Sequence, residues 1–146
     1  MKINNIIHTF LITLTLFLVP VFAYGSCGTF SSGDLLKTCE IGIKSAEKGW
    51  TNLSPDDAYN SGFCLGYIKG FIHMELAYSV TLAIKSKANA TDADMRKNAL
   101  FCLPPSMLNK KYVQIFVDYM HKHPEEANKD ACSSVLNAFS QDYPCK

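Results

Sequence analysis

Six cysteines follow an apolar N-terminal stretch, and they constrain the fold of this 146-residue chain more than any other feature. An even number of cysteines in an exported chain predicts a framework of disulfide bonds. None of them has the C-x-x-C spacing of a zinc ribbon or a thioredoxin-type dithiol, so the pattern indicates structural bridges. The six candidates are Cys27, Cys39, Cys64, Cys102, Cys132 and Cys145.

The prediction of export comes from the first 23 residues. They begin with a basic residue, Lys2, continue with an apolar run over residues 10–19, and end in Pro20 and the small residue Ala23. This arrangement is typical of a secretory signal peptide, and the run is shorter than the ~20 residues that a bilayer span needs. We therefore predict a signal peptide over residues 1–23 and a single mature domain over residues 24–146. A membrane anchor and a lipoprotein acylated at Cys27 are the alternatives.

The charge balance of the mature domain argues against nucleic acid and anionic lipid as partners. The chain has 14 basic and 13 acidic residues, and removing Lys2 with the signal peptide leaves 13 of each. A neutral surface with scattered charges has no long-range attraction for polyanions. We expect no nucleic-acid partner and no membrane span in the mature protein.

Helix start signals dominate the first half of the mature domain. Ser31 opens a capping box that starts a first helix, which ends near residue 48. Ser54 caps a second helix, with Pro55 at its first position, and this helix can run to about residue 85. Such a helix would span ~48 Å, which is long for a small domain, so we expect it to bend or break.

The second half of the domain is also helical in pattern. Residues 86–98 are polar and contain a short helix capped by Thr91 within what is mainly an exposed connection. Prolines at 104 and 105 end this segment, and a fourth helix follows with apolar residues spaced along one face. Pro124 breaks that helix and opens a last one, which runs to about Ser140. Since no alternating pattern predicts a strand, we expect an all-α fold, a compact bundle of about four to five helices stapled by disulfides.

Two cysteine pairs fit bonds across helical hairpins. In an antiparallel helix pair, residues equidistant from the turn lie at the same height, and bonded cysteines need Cα atoms within about 7 Å. The sequence midpoint of one pair falls in the connection at residues 49–54, and that of the other falls on the break at residues 123–124. Of the pairings that six cysteines allow, we favour Cys39–Cys64 and Cys102–Cys145. The remaining two cysteines, Cys27 and Cys132, form a third bridge or are free thiols.

Three glycines spaced four apart raise a separate question, because glycine costs about 1 kcal/mol in a helix interior relative to alanine. Gly62, Gly66 and Gly70 line one face of the second helix. We predict that this face packs closely against a neighbouring helix inside the domain, where dispersion contacts offset the propensity cost. A membrane dimerisation motif is the alternative, which polar residues in the same stretch disfavour, namely Lys69, His73 and Glu75.

Catalytic and metal-binding groups are sparse, so we predict a protein that is not an enzyme and has no catalytic residue, bound metal or cofactor. His121 and His123 are two residues apart, which places them on different faces of a helix and not in an H-x-x-x-H metal pair. Cys64 and His73 are about 13 Å apart along a helix, too far for a nucleophile and its base. The apolar neighbours of His73 predict a buried histidine. A small hydrolase with a Cys–His pair assembled from distant segments, such as Cys132 with His73, is an alternative.

Five short motifs occur in an order that resembles a known family. They are "LLKTC" (residues 35–39), "CLGYIKG" (64–70), "FCLP" (101–104), "HPEEA" (123–127) and a closing run that ends in "YPC" (143–145). Together they resemble the Rap/Tai immunity proteins associated with type VI secretion, over about residues 35–145. The family cysteines correspond to Cys39, Cys64, Cys102 and Cys145. The resemblance implies an exported, helical domain located in the periplasm.

The resemblance also implies a function, namely a periplasmic immunity protein that binds and occludes a peptidoglycan amidase effector. An inhibitor of a cleft enzyme needs a protruding element on a rigid base, and the polar connection is our candidate for that element. A solvated loop is the plainer interpretation of this segment, and a homodimer is also compatible with the sequence. The alternative function is that of an exported helical envelope or host-facing protein with no toxin partner. The candidate contact residues are Lys87, Asp92, Asp94, Arg96 and Lys97.

Overall fold

The computed structural model of the protein describes residues 30–145. Within this range the chain forms five α-helices and a 3₁₀ turn and has no strand, which confirms the all-α prediction. The predicted signal peptide and Cys27 lie outside the described residues. In chain order the helices are α1 (Ser32–Glu47), α2 (Pro55–Ser86), α3 (Asp92–Asn98), α4 (Asn109–Lys122) and α5 (Ala131–Asp142), with the 3₁₀ turn at Pro124–Glu126 before α5.

α1 and α2 form a hairpin that begins where the sequence predicts. Ser31 caps α1 and Ser54 caps α2, and each hydroxyl accepts a hydrogen bond from the backbone N–H three residues later, at 3.1 and 3.0 Å. These bonds satisfy donors that a helix start otherwise leaves unpaired. The predicted Cys39–Cys64 disulfide joins the two helices with Cα atoms 5.0 Å apart. The hairpin is thus fixed at its ends by caps and along its length by a covalent bond.

α2 runs for 32 residues without interruption, so the predicted break is absent. Its first half packs on α1, and it also contacts α3, α4 and α5. Support from several neighbours along its length lets one helix continue farther than the dimensions of a small domain suggest. No helix within residues 30–145 combines the length and the apolar composition that crossing a membrane requires.

α5 begins later than the sequence predicts. Pro124 opens the 3₁₀ turn alone, and α5 begins at Ala131 with Asp130 as its N-cap. The residues between them meet the start of α1, where the Ser32 N–H donates to the Lys129 carbonyl oxygen at 2.9 Å. This long-range bond uses a carbonyl that a continuous helix would have used internally. Tertiary contact, and not the proline, therefore decides where α5 begins.

The core is formed by the inward faces of α1, α2, α4 and α5. Its large side chains are fully buried, and each stabilises the fold by about 1.5–3 kcal/mol relative to exposure. Phe101, which precedes α4, adds an aromatic ring to this cluster. The largest fully buried apolar residues are Leu35, Ile68, Ile115, Phe116, Met120, Val135 and Phe139.

A buried carboxylate ties the 3₁₀ turn to α4 and α5. Glu126 is 6% exposed. Its Oε2 accepts a hydrogen bond from Ser134 Oγ at 2.7 Å, and its Oε1 accepts from Tyr119 Oη and Lys129 Nζ, each at 3.0 Å. Burial by itself raises the pKa of Glu126, but the bonds from Ser134, Lys129 and Tyr119 outweigh it and lower the pKa to about 2. This side chain is charged at neutral pH and acts as a hub of the fold.

The prediction that three glycines pack closely inside the domain is wrong. Gly62, Gly66 and Gly70 lie on an exposed face of α2. Among the described residues, a Cβ at any of them would meet no atom within 4 Å beyond the adjoining helix backbone. At Gly33, by contrast, a Cβ would lie 3.1 Å from the Ala127 carbonyl oxygen. The disulfide and the core draw the other side of α2 inward, so the glycine face points away from its neighbours.

Candidate partner-binding face

A cavity of about 320 Å³ opens where the second half of α2 meets α3 and the segment that follows it. α2 forms one wall, α3 forms a second, and the extended segment at residues 99–105 forms the third. The lining includes Glu75, Leu76 and Ser79 of α2, Met95 and Arg96 of α3, and Pro104 of the extended segment. Polar and apolar groups therefore face the same space.

The extended segment is held by bonds that reach the end of the chain. The predicted Cys102–Cys145 disulfide is present, with Cα atoms 4.9 Å apart, and the Cys102 N–H donates to the Tyr143 carbonyl oxygen at 2.8 Å. Phe101 is buried against Phe139, with ring centroids 5.3 Å apart. These contacts keep the segment in place as a wall of the cavity.

Glu75 is the buried charged group of this cavity. Its side chain is on the inward face of α2, and the residue is 5% exposed. Glu75 Oε1 accepts a hydrogen bond from the Leu100 N–H at 2.8 Å. The ion pairs found within residues 30–145 use other carboxylates. Glu75 is thus a buried carboxylate with a backbone donor on one oxygen and no basic side chain paired with it among these residues.

Exposed apolar side chains stand beside the cavity. Leu76 is 56% exposed and Leu100 is 50% exposed. Other large apolar residues on the outer side of α2 are also exposed, namely Met74, Tyr78 and Ile84. Apolar side chains around a polar depression are typical of protein-binding surfaces, because their burial supplies binding free energy. We call the cavity, its apolar margin and α3 together the α3 face.

α3 begins with a capping box, which accounts for one predicted contact residue. Asp94 Oδ2 accepts from the Thr91 N–H at 2.9 Å and from the Thr91 hydroxyl at 2.7 Å, and it pairs with Lys87 Nζ at 3.3 Å. The hydrogen bond from the Thr91 backbone, followed by those from its hydroxyl and from Lys87, lowers the pKa of Asp94 to about 2. Asp94 is therefore engaged in starting α3, as the predicted cap at Thr91 requires.

The structure places the other three predicted contact residues on α3 as exposed side chains. They are Asp92, Arg96 and Lys97, and Arg96 lines the cavity opposite α2. The predicted connection is thus mostly a short helix over residues 92–98. Of the five candidates, Arg96 lines the cavity that Glu75 also lines, and Lys87 is tied to the cap of α3.

Sequence reasoning missed the role of Glu75, although the spacing carries a signal. Ile68, Glu75, Ser79 and Ala83 recur at intervals of seven and four residues and share the buried face of α2. A carboxylate on a buried helical face needs a partner or marks a functional site. Helix face thus distinguishes Glu75, which is buried, from His73, which is exposed, although both interrupt the same hydrophobic run.

The turn between α1 and α2 presents a second exposed feature. Trp50 is 55% exposed and has a φ of 61°, which is the left-handed region that bulky residues avoid. Its N–H donates to the Ser45 carbonyl oxygen at 3.0 Å, which holds the turn. Gly49 and Asn52 also have positive φ, and these residue types adopt it more readily. Trp50 also lines a small pocket of about 30 Å³. The buried polar group of that pocket, Ser61 Oγ, already lies within hydrogen-bond distance of Ser45 Oγ and the Asp57 carbonyl oxygen.

The histidines do not form a catalytic arrangement within the described residues. His121 Nε2 lies 2.8 Å from Glu40 Oε1, and His123 Nδ1 lies 3.1 Å from Glu125 Oε1. His73 is exposed on α2, so the prediction that it is buried is wrong. Its apolar neighbours in sequence occupy other faces of the helix. Residues 30–145 contain no group of three or more His, Cys, Asp and Glu side chains that could hold a metal ion.

A sequence model of the family described as Rap1a immunity proteins matches residues 31–145. The matched range contains both disulfides, the Glu126 hub and the whole α3 face. Comparisons with curated proteins and with solved structures found no match.

Proposed function

Since the chain belongs to the Rap1a immunity protein family, it is an immunity protein for a secreted effector, and we propose that its target is a peptidoglycan amidase delivered by a type VI secretion system. In this proposal the protein binds the amidase in the periplasm and occludes its active-site cleft. The family match over residues 31–145 is the observation that carries the proposal. The protein acts as a stoichiometric inhibitor and performs no chemistry itself.

The periplasmic location is supported by the disulfides. Cys39–Cys64 and Cys102–Cys145 are both formed, and such bonds persist in oxidising compartments such as the bacterial periplasm. The apolar run over residues 10–19, which follows a basic start, has the composition of an export signal. Both observations favour a protein that meets its effector outside the cytoplasm.

We assign effector binding to the α3 face. Leu76 and Leu100 supply exposed apolar area, and Asp92, Arg96 and Lys97 on α3 add exposed charges of both signs. A buried apolar centre with a charged rim is the usual anatomy of a specific protein interface. Because the Cys102–Cys145 disulfide holds the segment that forms one wall of this face, little conformational entropy is lost when a partner docks.

A pull-down with the oxidised mature protein as bait tests the function. Periplasmic and secreted fractions of the source cells and of near relatives are the prey, and a recovered protein is assayed for cleavage of peptidoglycan peptides with and without equimolar bait. We expect a small amidase that the bait inhibits. Recovery of no stable partner, or of a partner without amidase activity, would contradict the proposed target.

A matched pair of baits locates the surface. Leu76→Glu places a charge on a leucine that is 56% exposed and lines the cavity, whereas Leu108→Glu places it on a leucine that is 76% exposed and does not line the cavity. We expect the first bait to lose the partner and the second to retain it. Equal recovery with both baits would remove the α3 face as the binding surface. Light scattering of the bait alone reports whether it is a monomer or a homodimer.

A further inference from the structure

We propose that the cavity beside α3 receives a basic side chain, lysine or arginine, from the effector, and that Glu75 is its acceptor. This inference rests on the proposed function, because it names the chemistry of one contact between the immunity protein and its partner. It also predicts an intrinsic affinity of the cavity for a small cation, which can be measured without the effector.

The first argument is the charge of Glu75 in its surroundings. A buried carboxylate is costly unless hydrogen bonds or a cation compensate for lost hydration. The carboxylate of Glu126 is compensated more fully, by four side-chain donors that include the charged Lys129. Glu75 has the Leu100 N–H on one oxygen and no ion pair within residues 30–145. It retains acceptor capacity on a carboxylate that faces a cavity.

The second argument is the shape and lining of the cavity. About 320 Å³ of space adjoins Glu75, and Leu76 at its edge offers an apolar surface for the methylene stem of a long basic side chain. A charge-assisted hydrogen bond at the base of the cavity and apolar contacts along its wall would act together. Arg96 also lines this cavity from the exposed side, where it can meet an acidic neighbour of the incoming residue.

A purely structural role for Glu75 makes a different prediction, and one substitution separates the two. In Glu75→Gln the amide oxygen can still accept from the Leu100 N–H, so the segment stays attached to α2, but the charge is gone. If Glu75 serves only to hold Leu100, this variant should bind the effector as the wild type does. If Glu75 receives a cation, its affinity should fall by about tenfold or more.

The effector experiment uses the amidase recovered in the pull-down and isothermal titration. Glu75→Gln is compared with Glu47→Gln, which removes the same charge from an exposed residue at the end of α1. We expect the first variant alone to lose affinity. Effector variants are then made in which one lysine or arginine at a time is neutralised. The variant that lacks the basic residue facing Glu75 should bind the wild type and Glu75→Gln with equal affinity, because the charge that Glu75 would pair with has been removed. Unchanged binding by Glu75→Gln would overturn the inference while leaving the immunity function intact.

A small-molecule experiment keeps the inference testable if no effector is recovered. N-acetyl-arginine amide is titrated into the oxidised mature protein while the Leu100 amide resonance reports on the cavity, and the neutral isostere N-acetyl-citrulline amide is the control. We expect a saturable shift with the first compound, none with the second, and none with Glu75→Gln. Arg96→Met should bind the cation at least as tightly, because a like charge has been removed. No response of the wild type, an equal response to citrulline, or loss of binding in Arg96→Met would overturn the proposal.

Discussion

Neutralising Glu126 should destabilise the fold strongly at neutral pH. Glu126→Gln removes the charge and turns one acceptor oxygen into an N–H donor that faces Ser134, or Tyr119 and Lys129. A carboxyl pKa lowered from 4.5 to about 2 in the folded protein corresponds to about 3 kcal/mol of stability above pH 4.5. We expect the free energy of unfolding at pH 7 to fall by about that amount.

The pH dependence provides a stricter test, because its sign follows from the direction of the shift. The pKa of Glu126 is lower in the folded protein than in the unfolded chain, so its stabilisation is complete above pH 4.5. It is lost as the pH falls from about 4.5 through about 2. The wild type should therefore lose stability over this range more steeply than Glu126→Gln does.

Urea denaturation followed by circular dichroism, at pH 7 and at steps down to pH 2, measures both effects with the disulfides intact. Glu125→Gln is the matched control, since that neighbouring side chain is 64% exposed and its interactions are screened by water. We expect a much smaller loss there. A Glu126→Gln protein as stable as the wild type at pH 7, or a difference that does not change with pH, would refute the reasoning.

Three further changes test other parts of the structure by the same denaturation assay. Gly66→Ala should raise the free energy of unfolding by about 1 kcal/mol, because the added Cβ meets open space. Gly33→Ala should lower the free energy of unfolding, because its Cβ would lie 3.1 Å from a backbone oxygen. A loss of stability in Gly66→Ala would instead support the prediction that the glycine face packs closely. Replacing both Cys39 and Cys64 by Ser should cost about 2–4 kcal/mol, and an unchanged midpoint would show that the bridge is dispensable. Thr91→Ala should expose the amides of α3 to faster hydrogen exchange through loss of its cap, and unaltered exchange would contradict the capping role.

Much of this fold follows from local chemistry that a sequence displays directly. The caps at Ser31, Ser54 and Thr91 act through hydrogen bonds to N–H groups three residues away, so their recognition needs no knowledge of the rest of the molecule. The Cys39–Cys64 disulfide was predictable because both cysteines lie on the α1–α2 hairpin, where the height of a residue depends on its distance from the turn. The predicted Cys102–Cys145 disulfide is also present, but its cysteines lie in non-helical segments before α4 and after α5, so helix geometry does not explain that pairing. The all-α class and the resemblance to immunity proteins rest on the same local patterns and their order.

The orientation of each helix depends on its neighbours, and there the sequence was insufficient. Spacing places Gly66 and Glu75 on particular faces of α2, but it does not say which face meets the core. Packing against α1 and the disulfide turned the glycines outward and left Glu75 buried beside the segment at residues 99–105. The start of α5 was likewise set by a bond between Ser32 and Lys129, 97 residues apart. The sequence alone thus determined the all-α class, the caps of α1, α2 and α3 and two covalent links, whereas the tertiary structure decided where α5 begins and which side chains became core, surface and candidate binding cavity.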